Sequence, residues 1–245
     1  PLEPGQVLVK LSYSGICGKQ IEEIEGTLGE ELTRFLPHML GHEGSGTVID
    51  CGAGVKKIKP GENVVMHWLK GNGIDSETPY YEDTSGNRIN AGWITTFNEY
   101  AVVSENRLTK ISEQTDLRIA CLFGCSITTG IGVVVNEARA MPGEPILIYG
   151  VGGVGLNSVI GAKLINAWPI VVVDINKKNL ELSKEFGADV IVNAAKESPK
   201  KILERFKNGF ENVIITTNNP TAIEIAVDMA SIPGKVFFLG VPPKN

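Results

Sequence analysis

Two groups of residues in this chain could do chemistry. The first is Gly150-Val151-Gly152-Gly153-Val154-Gly155, preceded by the apolar run Ile146-Leu147-Ile148-Tyr149 and followed by a helical pattern that reaches Ile165. A second apolar run, Ile170-Val171-Val172-Val173, then ends at Asp174. Strand, glycine turn, helix, strand and acid together describe a pyrophosphate cradle. Gly150 permits the tight turn, Gly152 lets backbone N–H groups approach the phosphates, and Gly155 lets the helix close on the sheet. The phosphates would sit at the positive end of the helix dipole. Asp174 falls where a carboxylate accepts both ribose hydroxyls and repels a 2′-phosphate, which favours NAD over NADP. The second group is Cys17, at the break Gly15-Ile16-Cys17-Gly18, with His42 and Glu43 in Gly41-His42-Glu43-Gly44-Ser45-Gly46. Thiolate and imidazole are the ligand types zinc prefers. Alone, such a cysteine reads as a small buried hydrophobe, and such a histidine as a hydrogen-bonded loop residue.

The elements that must carry these groups divide the chain in two. Residues 6–12 alternate, with Val7 and Val9 on one side and Leu8 and Lys10 on the other, the period of a strand. A short helix is expected after Cys17, through Ile24, then strands at 47–50, 63–66, 98–103 and 107–111. Residues 69–93 are polar, contain glycine and lack periodicity, so they read as a long loop or lobe. After Thr115 the pattern turns helical, and Cys121 and Cys125 would share a face if that helix continued. Beyond Asp174, helices are expected at 177–186, 200–206 and 221–230, and apolar runs at 190–192, 213–215 and 235–240. Such βα alternation requires a parallel, doubly wound sheet with ligands at the strand C-terminal ends. That rule adds Leu239, at the end of the last run, to the candidate cofactor contacts. The expected division is 1–126, rich in strands, and 127–245, the incomplete dinucleotide-binding half.

Composition narrows the partners. With 245 residues and a formal charge of −5, the chain has no Lys/Arg run, which argues against nucleic acid and anionic membrane as partners. No apolar stretch of spanning length and no signal-peptide pattern is present, so a cytoplasmic location is expected. The four cysteines, Cys17, Cys51, Cys121 and Cys125, lack the paired spacing of a disulfide framework.

In combination, Tyr13-Ser14-Gly15-Ile16-Cys17-Gly18, the stretch from Gly41-His42-Glu43-Gly44 to Gly54-Val55, and Lys59-Pro60-Gly61-Glu62-Asn63-Val64-Val65 resemble the signatures of the zinc-containing medium-chain dehydrogenase/reductase family, the alcohol dehydrogenase superfamily. The resemblance implies an α/β protein with a GroES-like, β-rich catalytic domain ahead of a Rossmann domain. Gly124-Cys125-Ser126 with Thr128-Thr129-Gly130 resembles the family's third ligand segment. The implied metal set is therefore Cys17, His42 and Cys125, with Glu43 as a transient ligand or a charge that loosens the fourth position; Cys51 and Cys121 are assigned to the core. Thr129 would lie near the nicotinamide. Trp68 falls at an aromatic wall of the substrate pocket, although core packing explains it equally well. In many members the lobe carries four cysteines around a structural zinc. Here it carries none, so one catalytic zinc and no structural zinc is expected, with Tyr80, Tyr81 and Trp93 as candidates for holding the lobe.

The implied reaction moves a hydride between NAD(H) and an alcohol, polyol or sugar-type substrate, or its carbonyl. Zinc drops the pKa of bound water from 15.7 to about 7, on the order of 12 kcal/mol of anion stabilisation. After Cys17 many members carry glycine, serine or threonine, then aspartate, whereas here Gly18, Lys19 and Gln20 follow. Lys19 is then either a proton shuttle, its pKa lowered by desolvation, or a solvent-facing residue beside a water relay. Compared with the family, the chain reads as trimmed at both ends, before Pro1 and beyond Pro242-Pro243. That would uncover a sheet edge and put in doubt the homo-oligomer expected of a full-length form. A catalytically inactive NAD-binding or assembly protein is the alternative, and a zinc-free reductase of the same fold is disfavoured by the ligand set.

Overall fold

The computed structural model describes residues 1–26 and 36–240; Pro242 and Pro243 lie outside that range. Two compact units emerge, Pro1–Cys125 and Ser126–Asn245.

In the first unit, β1 (Gln6–Ser14), β2 (Gly44–Cys51), β3 (Asn63–Met66), β6 (Tyr100–Ser104) and β7 (Leu108–Lys110) form an antiparallel sheet in the order β6-β1-β2-β3-β7. Alternation decides which face is buried. Val7 and Val9 are fully covered while Lys10 is exposed, and Val48, Val64, Met66, Ala101, Val103 and Leu108 complete the core beneath them. Each such aliphatic side chain contributes about 1.5–3 kcal/mol on leaving water. Gly46 lets β2 lie close to β1, since a Cβ there would stand 2.2 Å from the Lys10 carbonyl oxygen. Helix α1 (Gly18–Glu25) follows β1 and ends at Gly26, which adopts the left-handed conformation at φ 69°.

The segment read as a long loop contains a small hairpin, β4 (Tyr80–Glu82) against β5 (Arg88–Asn90), whose turn is nucleated by Asp83 accepting from the Ser85 and Asn87 N–H groups at 2.8 Å each. Short local hydrogen bonds, rather than hydrophobic period, form it. Tyr81 fastens the hairpin to the sheet: its hydroxyl accepts the Val102 N–H at 2.8 Å on the outermost strand, β6. Glu105, 2% exposed, ties Ile74 of the lobe to residues 56–57. Its carboxylate accepts the N–H groups of Lys56 (2.6 Å), Lys57 (2.7 Å) and Ile74 (2.8 Å). Trp93 stacks on Trp68 with ring centroids 4.9 Å apart, and the Arg107 guanidinium lies over Trp93.

The helix expected to run through Cys121 and Cys125 does not continue. Helix α2 (Leu117–Ala120) passes into a 3₁₀ turn, Cys121–Gly124, and Cys125 breaks the path at φ −146°, ψ −74°. Cys121 therefore turns into the core, with its Sγ 3.2 Å from the Arg118 carbonyl oxygen. Cys125 points elsewhere. Cys51, also assigned to the core, packs at its margin.

In the second unit, β8 (Ile146–Tyr149), β9 (Ile170–Asp174), β10 (Val190–Asn193), β11 (Phe210–Ile215) and β12 (Ala230–Phe238) form a parallel sheet in the order β10-β9-β8-β11-β12. The central strands are nearly continuous apolar runs because both faces are covered. One face packs Ile146, Ile148, Val172 and Ile214 against Val133, Val134 and Val159; the other packs Leu147, Val171, Val213 and Ile215 against Ile202, Ala222 and Met229. The covering helices are α3 (Ser126–Gly132), α4 (Gly153–Leu164), α5 (Lys177–Glu185), α6 (Pro199–Arg205) and α7 (Pro220–Met229). Strand β12 begins five residues before the expected 235, because the pairing partner jumps from Ala230 to Lys235 between Phe210 and Asn212. Strand order reverses between β8 and β11, the switch point at which doubly wound sheets bind ligands.

Burial pushes the Glu105 carboxyl up, but its three backbone donors outweigh that and leave it below the usual carboxylate range. A folded-state pKa below the unfolded one stabilises the fold above the unfolded value, and the contribution is lost as pH falls through the folded value. Glu105→Gln should therefore cost about 1–3 kcal/mol at pH 7, with the gap from the parent closing on acidification below about pH 4. Urea unfolding across that range checks it, and a pH-independent gap would contradict the role given to the charge.

Candidate metal centre and glycine turn

Three segments far apart in sequence bring their donors together in the first unit. Cys17 leaves β1 in extended conformation (φ −94°, ψ 148°) at the N-cap of α1. His42 precedes β2, next to Gly41, whose φ of 92° suits glycine. A Cβ on Gly41 would stand 2.3 Å from Thr96 Oγ1 and 2.7 Å from the Phe97 backbone nitrogen, so only glycine lets the His42 loop lie this close to 96–97. Cys125 sits at the helix break. One ligand atom from each of Cys17, His42 and Cys125 lies within 4.8 Å of the other two. Donors held at about 2.0–2.3 Å around a tetrahedral zinc stand roughly 3.5–3.8 Å apart, so this set closes on such an ion with small side-chain movements.

Electrostatics at the cluster prepare a ligand. The Cys17 thiol is lowered to about 4, chiefly by a hydrogen bond from Cys125; burial opposes this, while His42 and the Lys19 backbone N–H reinforce it. His42 is raised: burial pushes it down, but the hydrogen bond and charge of Cys17, with smaller contributions from Glu43 and Glu23, outweigh that. A thiolate, an imidazole and a second sulfur make up a zinc-type donor set. In contrast, burial raises the thiols of Cys121 and Cys51.

Glu43, 1% exposed, is packed beside these donors. Its carbonyl accepts from Ser14 Oγ (3.1 Å) and the Gly15 N–H (3.0 Å). A Cβ on Gly15 would meet the Glu43 carboxyl carbon at 2.6 Å, and one on Gly124 would meet Glu43 Cα at 2.7 Å and the Met66 carbonyl oxygen at 2.4 Å. Gly124, which precedes Cys125 in the segment read as the third ligand segment, is thus required by a close backbone approach to Glu43 and Met66. Lys19 contributes its backbone N–H to Cys17, and its ammonium pairs with Glu22.

The glycine turn lies at the C-terminal end of β8. Gly150 has φ 89°, and a Cβ on Gly155 would stand 2.0 Å from the Gly150 carbonyl oxygen. A Cβ on Gly152 would meet nothing within 4 Å, which leaves that side of the turn open. Gly152 caps α4 without a side-chain hydrogen bond, while Gly153, Val154 and Gly155 form its first turn. Asp174 is tied to the turn: one oxygen accepts the Val151 N–H at 2.7 Å and the other the Asn176 N–H at 2.7 Å. An ionised carboxylate retains further acceptor capacity. Thr129 lies on α3 one residue before Gly130, where the helix crosses α4 so closely that a Cβ would stand 2.4 Å from the Val154 carbonyl oxygen. Gly130, part of the same segment, is a glycine inside a helix that marks this close crossing. Leu239 follows β12, its N–H donating to the Ile215 carbonyl at 2.8 Å.

Comparison with known proteins places the chain in a family. Residues 3–113 match the family described as alcohol dehydrogenase GroES-like domain, and residues 153–245 the zinc-binding dehydrogenase family. S-(hydroxymethyl)glutathione dehydrogenase from Photobacterium damsela subsp. piscicida is 31% identical over 94% of this chain and 69% of its own length. Among solved structures, benzyl alcohol dehydrogenase from Acinetobacter calcoaceticus superposes with a TM-score of 0.86 at 27% identity, covering 99% of this chain and 72% of the other. An alcohol dehydrogenase zinc-binding domain protein from Burkholderia ambifaria gives 0.87 at 25% identity, covering 98% and 71%. With a GroES-like half, a Rossmann-like parallel sheet and relatives of this identity and coverage, the chain belongs to the zinc-type medium-chain alcohol dehydrogenase superfamily.

Proposed function

We propose that the chain is a zinc-dependent oxidoreductase that transfers a hydride between NAD(H) and an alcohol, polyol or sugar-type substrate or its carbonyl. The observation that carries this reading is the approach of the Cys17, His42 and Cys125 donor atoms to within 4.8 Å of one another. Cys17, His42 and Cys125 would hold zinc there, which would supply the Lewis acidity that an alcohol needs to lose its hydroxyl proton near neutral pH. Cys17 and Cys125 provide two negative sulfurs that bring the net charge of the dication close to zero. Glu43 holds a carboxylate beside them, poised as a transient ligand or as a charge that loosens the exchangeable position. The backbone N–H groups opening α4 bind the pyrophosphate, where unpaired donors and the helix dipole meet negative charge. Asp174 accepts the ribose hydroxyls, and Thr129 and Leu239 border the cofactor.

Among the described residues no single helix is long and apolar enough to cross a membrane, and the proposed partner is a small molecule. Lys19 enters the site through its backbone N–H, and Lys19→Met separates that contribution from proton transfer. Zinc content should survive the change, and a fall in turnover at neutral pH would assign the relay to the ammonium.

The purified protein should carry zinc and form NADH, read at 340 nm, from a panel including benzyl alcohol, S-(hydroxymethyl)glutathione and simple polyols. Chelation, or Cys17→Ser, should abolish NADH formation while NADH binding, read by fluorescence, persists. Turnover that survives complete zinc removal would replace the reading with a zinc-free reductase. Zinc and NADH bound without turnover on any substrate would replace it with an inactive binding protein.

Asp174→Asn should weaken NAD binding by about ten- to a hundredfold, through loss of charge-assisted hydrogen bonds worth about 1.5–3 kcal/mol, and narrow the preference over NADP. Titration with both cofactors measures this, and an unchanged ratio would remove Asp174 from the ribose site.

A further inference from the structure

Gln20 stands in the first turn of α1 and is 3% exposed. Its backbone N–H donates to the Cys17 carbonyl at 3.0 Å, closing the turn that carries this cysteine. Its side chain reaches the other way. Nε2 donates to Glu23 Oε2 at 2.6 Å, and Oε1 accepts the Gly41 backbone N–H. A carboxylate can only accept here, so Glu23 fixes which end of the amide faces it and turns Oε1 toward Gly41. Gly41 has little freedom of its own, being wedged against Thr96 and Phe97 at positive φ. One buried amide therefore links the loop that bears Cys17 to the loop that bears His42.

We propose that Gln20 is a positioning residue of the metal centre, its amide setting the separation of Cys17 from His42 and thereby the affinity for zinc. The proposal rests on the zinc reading above. Partners that orient metal ligands from outside the coordination shell govern metal affinity because a donor displaced by a few tenths of an ångström no longer meets the ion at its preferred distance. A side chain of similar length without an acceptor would leave the Gly41 N–H unpaired, and the His42 loop would shift to find water.

The test compares the full chain with Gln20→Met and Glu23→Met. It reads zinc affinity by competition with a chromophoric chelator and coordination by the visible absorption of the cobalt-substituted protein. Gln20→Met should bind zinc at least about tenfold more weakly with an altered cobalt spectrum. Parental affinity and an unchanged cobalt spectrum in Gln20→Met, with only a lowered Tm, would reduce Gln20 to packing and overturn the proposal. If Gln20→Met does not fold, Glu23→Met decides, because releasing Nε2 frees the amide to turn: several-fold weaker zinc binding together with an altered cobalt spectrum supports the proposal, and an unchanged spectrum, whatever the affinity, overturns it. A parent chain that binds no zinc would overturn the zinc reading itself and this proposal with it.

Discussion

The convergence of Cys17, His42 and Cys125 to within 4.8 Å of one another is the constraint that the first unit must satisfy. A buried sulfur ordinarily keeps its proton, because desolvation penalises the anion. Here the Cys125 thiol, the His42 imidazole and the Lys19 N–H reverse that preference. These groups come from the helix break, the loop before β2 and the first turn of α1, so the charge exists only when all three segments are in place. Close approach of backbone is the price of assembling them. Gly41, Gly15 and Gly124 each occupy a position where a Cβ would fall inside 3 Å of a neighbour.

The lobe illustrates a different way of fixing an irregular segment. It has little periodic apolar content to bury, and one carboxylate supplies part of what a core would. Glu105 gathers backbone donors from 56–57 and 74, Asp83 shapes the hairpin, and Tyr81 covers a free N–H on the outermost strand of the antiparallel sheet. Such anchoring trades hydrophobic area for charge-assisted hydrogen bonds, which makes this part of the fold responsive to acid in a way that the apolar core below β1 is not.

In the second unit the glycine turn and the acid form one construction. Asp174 receives a hydrogen bond from Val151, inside the turn, so the carboxylate proposed for the ribose and the N–H groups proposed for the pyrophosphate hold fixed positions relative to each other. Gly130 brings α3, and with it Thr129, against the start of α4. Preorganisation of this kind lowers the ordering cost of binding an extended cofactor.

By itself, the sequence determined the features that local physics controls. Alternating Val7 and Val9 define a strand with one buried face, continuous apolar runs define parallel strands covered on both sides, and glycines 150, 152 and 155 define a turn opening a helix. The candidate ligands Cys17 and His42 were legible as types, and Cys125 through its resemblance to a family segment. Tertiary structure decided what depends on distant contacts. It broke the helix at Cys125, sending Cys121 into the core, because Gly124 must pass between Glu43 and Met66. It folded a hairpin within a stretch that has no period, and it extended β12 back to Ala230 through a jump in register. It also gave Lys19 a backbone contact at Cys17 and Gln20 a bridge to Gly41, neither of which spacing encodes, because both depend on where α1 comes to rest against the loop before β2.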